Sequence, residues 1–158
     1  MMGRALLIVG WLATLGFGAA GVVGYRVAAP KEVGTHLLVA LVASLLLLFS
    51  HSWIMFYLIG TGKAIKMTVA EYGLEDGLIQ RTKEFKSRSY PWLTLATALA
   101  MATFILGGGV ATGTVPGWVH HSLFYVTLPV QVWTLRVEQQ VLLANEHLIS
   151  DIDRRVGA

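Results

Sequence analysis

THLLVALVASLLLLFSHSWIMFYLIGTGKAIK, residues 35–66, is strongly apolar and carries no charged side chain before Lys63. It belongs to a charge-free run over residues 33–62, and a similar run covers residues 5–25. A helix of about 20 apolar residues crosses the hydrocarbon core of a bilayer. Each of these two runs therefore predicts one membrane-spanning helix.

A third charge-free run, residues 89–135, is too long for a single crossing. Pro116 and Gly117 favour a turn inside it, so this run predicts two helices joined by a short hairpin. The expected fold class is all-α, an integral membrane four-helix bundle formed by one domain over residues 1–158. Its membrane helices are predicted at about 5–25, 33–62, 91–113 and 118–136.

The basic side chains lie mostly at one end of this predicted bundle. With four crossings, the N-terminus, the connection between helices 2 and 3, and the C-terminus share one side. That side carries ten of the twelve lysines and arginines, and only Arg26 and Lys31 lie on the other. Positive charge collects on the cytoplasmic side, so both termini are predicted in the cytoplasm and the protein in the inner (plasma) membrane. The basic residues are therefore expected to meet anionic lipid, not nucleic acid.

Residues 5–25 are predicted to be a retained membrane helix and not a cleaved signal. The apolar part of a signal peptide is about 7–15 residues long and ends at a small-residue cleavage site. This run is longer, and Arg26 directly precedes the weak candidate site at residues 27–30. The chain has no cysteine, which excludes disulfides, thiolate metal sites and covalent haem attachment through a C-x-x-C-H motif.

Two amphipathic segments, residues 63–90 and 137–156, follow the second and fourth predicted membrane helices and are expected in the cytoplasm. The first stays compatible with a helix as far as Gly73, and the third membrane helix is predicted to begin at Pro91. The second carries apolar residues three or four apart, which is typical of a helix packed on one face. Its expected partner is the cytoplasmic extension of helix 2, and its apolar stripe consists of Val137, Val141, Ala144, Leu148 and Ile152.

Three histidines are expected at one level near the outer surface: His36 in helix 2, and His120 and His121 at the start of helix 4. Glu32 precedes His36 by four residues, so the two share a helix face. Two or three imidazoles with this carboxylate would suit copper, zinc or another divalent metal, whereas His36 and one histidine of helix 4 would suit a haem iron. His120 and His121 diverge by about 100°, so only one is expected to face His36. The alternative is a set of interfacial polar residues, with Glu32 favoured by the helix dipole.

His51 lies about 22 Å below His36 along helix 2 and about 60° from it around the helix axis. Both can face the bundle interior, where ionisable residues of membrane spans usually lie. At the depth of His51, Met101 would complete a His–Met axial pair for haem, whereas Gln131 or Thr14 would hydrogen-bond a neutral, structural histidine. No carboxylate is expected inside the predicted spans, so no proton relay is predicted.

In helix number and in carrying histidines on helices 2 and 4, the chain resembles the small four-helix b-type cytochromes of bacterial membranes. This resemblance is one of architecture, and the second histidine pair of two-haem members is missing. The function expected from the outer histidines is binding of haem b or copper and electron exchange with quinol or a partner protein. His147, on the cytoplasmic helix, is expected to be solvated and to play no part.

Two other readings remain open. The first is an accessory subunit without a cofactor, which docks on partner subunits or on a second copy through its cytoplasmic helices and helix 1. Helix 1 has the small-xxx-small spacings that let helices approach closely, in Gly10, Thr14 and Gly18 and in Gly16, Ala20 and Gly24. The second is transport of a small solute or a metal ion, which would need an oligomer. No nucleophile–base triad or phosphate-binding loop is recognisable.

Overall fold

Four long helices form the protein in a computed structural model, which describes residues 2–27 and 30–157. They are α1 (Met2–Tyr25), α2 (Pro30–Tyr72), α3 (Gly77–Ala111) and α4 (Gly117–Val156). No strand occurs in the described residues. The predicted all-α, four-helix architecture is therefore confirmed, whereas the connection between α1 and α2 lies partly outside the described residues.

Three helices in the described part of the chain are long and apolar enough to cross a membrane, namely Met2–Tyr25, Glu32–Tyr72 and Gly77–Ala111. α4 is not among them. Its polar residues include His120, His121 and Gln131, which lower the mean hydropathy of its first half. By composition, the structure therefore supports three of the four predicted crossings.

The helices extend further than a bilayer requires. α2 has 43 residues and is about 64 Å long at the standard rise, twice the hydrocarbon thickness. The predicted extensions of helices 2 and 4 are present, but the start of helix 3 was predicted wrongly: α3 begins at Gly77, and Pro91 lies inside it. Packing holds this helix together across the proline, because Ser89 and Leu93 are buried and the Tyr90 hydroxyl donates to the Met55 carbonyl at 3.0 Å.

Glycine ends both α2 and α3 in the same way. Gly73 and Gly113 have φ values of +63° and +73°, the left-handed conformation that glycine adopts without strain. The N–H of Leu74 then donates to the Val69 carbonyl at 3.1 Å, and the N–H of Thr114 donates to the Gly109 carbonyl at 2.9 Å. These bonds define Schellman motifs, which turn the chain back sharply and make antiparallel neighbours of successive helices.

Of the two pairs of helices that face each other across the bundle, one pair is in contact, and we call this contact the short diagonal. Each helix packs on the next along the chain, and α1 also packs on α4, which closes the ring. Across the ring, α2 touches α4, whereas the described residues of α1 and α3 do not touch. Side chains of α2 and α4 can therefore meet directly in the centre of the bundle.

Three apolar clusters fill the interior from one end to the other. The outermost contains Phe17 and Leu47, the middle one Ile54 and Leu93. The third joins the far ends of α2, α3 and α4 and contains Ile65, Val69, Leu78, Leu148 and Ile152. This cluster confirms the predicted packing of the C-terminal stripe on the extension of helix 2.

The small residues of α1 serve contacts inside the chain. A methyl group on Gly10 would lie 2.9 Å from Leu135 Cδ2, and one on Gly24 would lie 2.7 Å from His36 Cε1. A methyl group on Gly21 would collide with the Phe124 ring. Close packing of helix 1, which the spacing of its small residues predicted, therefore takes place against α2 and α4 of the same chain.

Candidate functional site

A cavity of about 290 Å³ lies between the helices at the end where α1 finishes and α4 begins. Its volume is near the lower end of the range for small-molecule sites, about 300–1,000 Å³. The wall is mainly apolar, with Phe17, Phe104 and Phe124 among its residues. His36, His120 and His121 also line it, so the cavity combines a dry wall with a few polar groups, as ligand pockets do.

His36 is fixed by α1. Its Nδ1 lies 3.1 Å from the carbonyl oxygen of Ala20. A carbonyl can only accept, so Nδ1 carries a hydrogen, and the Nε2 of the neutral tautomer has an available lone pair. The ring packs on Gly24, where a methyl group would come within 2.7 Å of it. Glycine at this position therefore makes room for the imidazole.

His120 is fixed by α3 in the same manner. Its Nδ1 donates to the Thr103 carbonyl at 3.0 Å, which again leaves Nε2 with an available lone pair. A methyl group on Gly107 would lie 3.0 Å from His120 Cε1. Each imidazole is thus tethered by a backbone carbonyl and seated against a glycine of the preceding helix.

The two rings approach each other across the cavity. The centroids of His36 and His120 are 6.3 Å apart, and the ring planes form an angle of 72°. His121 is exposed, and its ring lies against Tyr25 with centroids 5.0 Å apart. Of the two adjacent histidines, His120 is therefore the one in the bundle interior, and His121 is at the rim.

The predicted metal set of His36, His120, His121 and Glu32 is not assembled. Glu32 does not line the cavity, and the His121 ring is turned towards Tyr25. Within residues 2–27 and 30–157, no three or more His, Asp and Glu side chains form a group that could hold a metal ion. The arrangement present is a pair of imidazoles.

A second polar cluster lies deeper in the bundle, around His51. The His51 ring is 1% exposed and Glu138 is 0% exposed. His51 Nδ1 lies 2.6 Å from Glu138 Oε1, and His51 Nε2 lies 2.9 Å from Gln131 Oε1. Gln131 Nε2 in turn donates to the Ala96 carbonyl at 2.9 Å. Gln131 is one of the partners that the sequence predicted for His51; Glu138 was not predicted.

The hydrogen-bond directions in this cluster follow from the Ala96 carbonyl at one end of it. Since the Ala96 carbonyl can only accept, the amide nitrogen of Gln131 faces Ala96 and its oxygen faces His51. His51 Nε2 must therefore carry a hydrogen. One further proton lies between His51 Nδ1 and Glu138 Oε1, either as an imidazolium–carboxylate pair or as a neutral imidazole with a carboxylic acid. In both forms the pair has no net charge.

Two expectations about the deep histidine need correction. Both ring nitrogens of His51 are occupied by hydrogen bonds, so neither is available for a haem iron shared with Met101, which is half-buried on α3. A carboxylate is also buried where none was expected. Glu138 follows the exposed Arg136 by two residues, which turns its side chain about 200° around the helix and into the bundle.

Comparison with protein-family models, with curated proteins and with solved structures finds no match to this chain. A functional assignment therefore depends on the two arrangements just described: the histidine pair in the outer cavity, and the buried cluster of His51, Glu138 and Gln131.

Proposed function

We propose that the chain is an integral membrane protein that crosses the inner membrane four times and holds a redox cofactor between His36 and His120. Both termini lie in the cytoplasm, in agreement with the concentration of basic residues at that end. α4 is the fourth crossing. It is antiparallel to α3 and packed on it along the bundle, and its polar side chains Gln131 and Glu138 are turned inward, away from lipid.

One observation carries the proposal: two imidazoles from opposite helices enter one apolar cavity, and each has its Nδ1–H bonded to a backbone carbonyl. Histidines that bind metals almost always donate their other N–H in this way, because the bond fixes the ring orientation and the tautomer. The orientation of both rings is therefore established before any ligand arrives.

The separation of the two rings is compatible with one metal ion bound by both. Imidazole nitrogens bind a metal ion at about 2 Å, so two ligating rings have their centroids up to roughly 6 Å apart. The observed value is 6.3 Å. His36 and His120 would hold such a group, haem b or a copper ion, through their Nε2 atoms, and the group would supply one-electron chemistry. The role of the protein is to provide two ligands and a dry surrounding.

Spectroscopy and metal analysis of the purified full-length protein test this proposal. We expect either a haem spectrum with two histidine ligands or stoichiometric copper. Replacement of His36 or His120 by Ala should abolish it, whereas the exposed His147→Ala variant should retain it. A preparation from haem- and copper-replete membranes that lacks both groups, and binds neither on reconstitution, refutes the proposal. Equal cofactor content in the three variants also refutes it.

The accessory-subunit function remains the second candidate. The far ends of α2, α3 and α4 form a packed helical extension with exposed charges, such as the Arg155–Glu75 ion pair at 2.9 Å. A cofactor-free protein that is recovered with a stoichiometric partner after gentle solubilisation supports this function. Recovery as a cofactor-free single chain contradicts it.

A further inference from the structure

Unpartnered buried polar atoms are concentrated on one side of His51. In the described residues, five buried side-chain atoms have no hydrogen-bond partner: Thr14 Oγ1, Ser44 Oγ, Ser50 Oγ, Glu138 Oε2 and Asn145 Nδ2. Buried polar groups in folded proteins are nearly always paired, with protein or with ordered water. The first four atoms belong to α1, α2 and α4 and lie in the region from the outer cavity down to Glu138. Their grouping indicates a polar path through this part of the bundle.

The path can be traced from the cavity inward. Ser44 lines the outer cavity and is itself buried. It precedes His51 by seven residues, which places the two on one face of α2 about 10 Å apart. Ser50 lies next to His51. A methyl group placed on Gly10 would be 3.3 Å from Ser50 Oγ and 3.6 Å from Glu138 Oε2. These two oxygens therefore both lie beside Gly10, where the Leu135 side chain also packs.

We propose that His51 and Glu138 form a proton-exchange site, which is reached from the outer cavity through the hydroxyls of Ser44, Thr14 and Ser50. Water molecules between these hydroxyls complete the path, since each has unused hydrogen-bonding capacity. The site does not depend on a cofactor in the outer cavity, so it stands or fails separately from the function proposed above.

The proton balance of the site is simple. At rest one proton is shared between His51 Nδ1 and Glu138 Oε1, and the pair is neutral. A proton that arrives by way of Ser50 binds to Glu138 Oε2, which leaves His51 as imidazolium beside a carboxylic acid with one net positive charge. Release through Oε2 restores the neutral pair. The Nε2–H bond to Gln131 is unchanged throughout.

The groups that the structure describes around His51 and Glu138 are not ionisable, so this pair is where a proton can bind in the bundle interior. His51 on α2 and Glu138 on α4 are the only buried ionisable residues in the part of the chain that the structure describes. Towards them α3 presents the Ala96 carbonyl through Gln131, and α1 presents Gly10 and a hydroxyl. A buried ion pair contributes little to stability in comparison with apolar packing, and ionisable residues within membrane spans usually serve a function.

Infrared spectroscopy of the full chain in lipid vesicles tests the site. On lowering the pH from about 9 to about 5, we expect the C=O band of a protonated carboxylic acid in apolar surroundings to grow. Glu138→Gln should remove this band. Glu84→Gln, a change at an exposed carboxylate of α3, should leave it intact. A band that does not titrate, or one that survives in Glu138→Gln, overturns the proposal.

The path is tested by the rate at which this band shifts in D₂O. Ser50→Ala, Ser44→Ala and Gly10→Ala should each slow the exchange by about tenfold, because each interrupts or fills the route. Ser52→Ala, at the half-buried serine on the other side of His51, should not. Unchanged exchange in all three path variants refutes the route. Because these variants keep both members of the pair, the test remains decisive even if Glu138→Gln does not fold.

Discussion

A double-mutant cycle on His51 and Glu138 gives the most direct measure of the buried cluster. In the His51→Leu variant, Glu138 remains fully buried with neither carboxylate oxygen paired. Removal of one member of a buried pair costs about 3–5 kcal/mol of unfolding free energy. In Glu138→Leu, the imidazole can stay neutral and keep its bond to Gln131, so the cost is that of one unpaired nitrogen, about 1–3 kcal/mol.

The double variant should recover most of this loss. Replacing both members of a buried pair by apolar residues is often neutral or stabilising. The remaining cost is the Gln131 oxygen, which loses the His51 donor, at about 1 kcal/mol. The two single losses then exceed the loss in the double variant by a coupling energy of about 3–7 kcal/mol.

Unfolding by SDS in mixed detergent micelles, followed by circular dichroism, measures these free energies. Gln139→Leu is the matched control, because Gln139 is exposed and directly follows Glu138; its effect should stay within about 0.5 kcal/mol. If the losses of the two single variants simply add in the double variant, His51 and Glu138 do not form an energetic pair, and the reasoning is wrong.

Three further predictions follow from single contacts. Gly24→Ala should displace the His36 ring and weaken cofactor binding, measured by titration with haem or copper, whereas Gly34→Ala, where a methyl group meets no atom within 4 Å, should not. Leu47→Ala should lower the unfolding free energy by about 2–5 kcal/mol, because Leu47 is fully buried, and the exposed Leu45→Ala should have little effect in the same assay. Arg155→Ala should lower the Tm only slightly, and about 1 M salt should remove the difference, because its ion pairs with Glu75 and Asp151 are exposed.

Charge distribution was sufficient to predict the helices but not all their ends. The charge-free runs located three helices that are apolar enough to cross a membrane, and the glycine–proline turn before α4 was recognised from Pro116 and Gly117. Pro91 was misleading. A proline inside a helix is unfavourable in isolation, but burial of Ser89 and Leu93 against neighbouring helices outweighs that local cost, and no pattern in the sequence reports such packing directly.

The buried cluster of His51, Glu138 and Gln131 was predictable only in part, because the sequence does not show directly which side chains pack inward. Matching residues by depth gave Gln131 as one of three candidate partners of His51, beside Met101 and Thr14, and the structure has the hydrogen bond to Gln131. Glu138 was assigned to the cytoplasm because it follows Arg136, although the two side chains lie on opposite faces of α4. A usable signal was present: Gln131, Glu138 and Asn145 are seven residues apart, and all three are buried. A polar residue every second turn on the apolar face of a helix indicates an internal polar row.

The short diagonal between α2 and α4 explains why both candidate sites draw on the same two helices. At the outer end, the first helix of each hairpin supplies a carbonyl and, four residues later, a glycine: Ala20 with Gly24, and Thr103 with Gly107. The second helix of each hairpin supplies the histidine that they hold. The two hairpins therefore contribute equivalent histidines to the cavity. Further in, the equivalence ends, because among the described residues a buried histidine occurs only on α2 and a buried carboxylate only on α4. A symmetric pair of histidines thus lies above the asymmetric pair of His51 and Glu138, and Ser44, which lines the cavity and shares the His51 face of α2, lies between them.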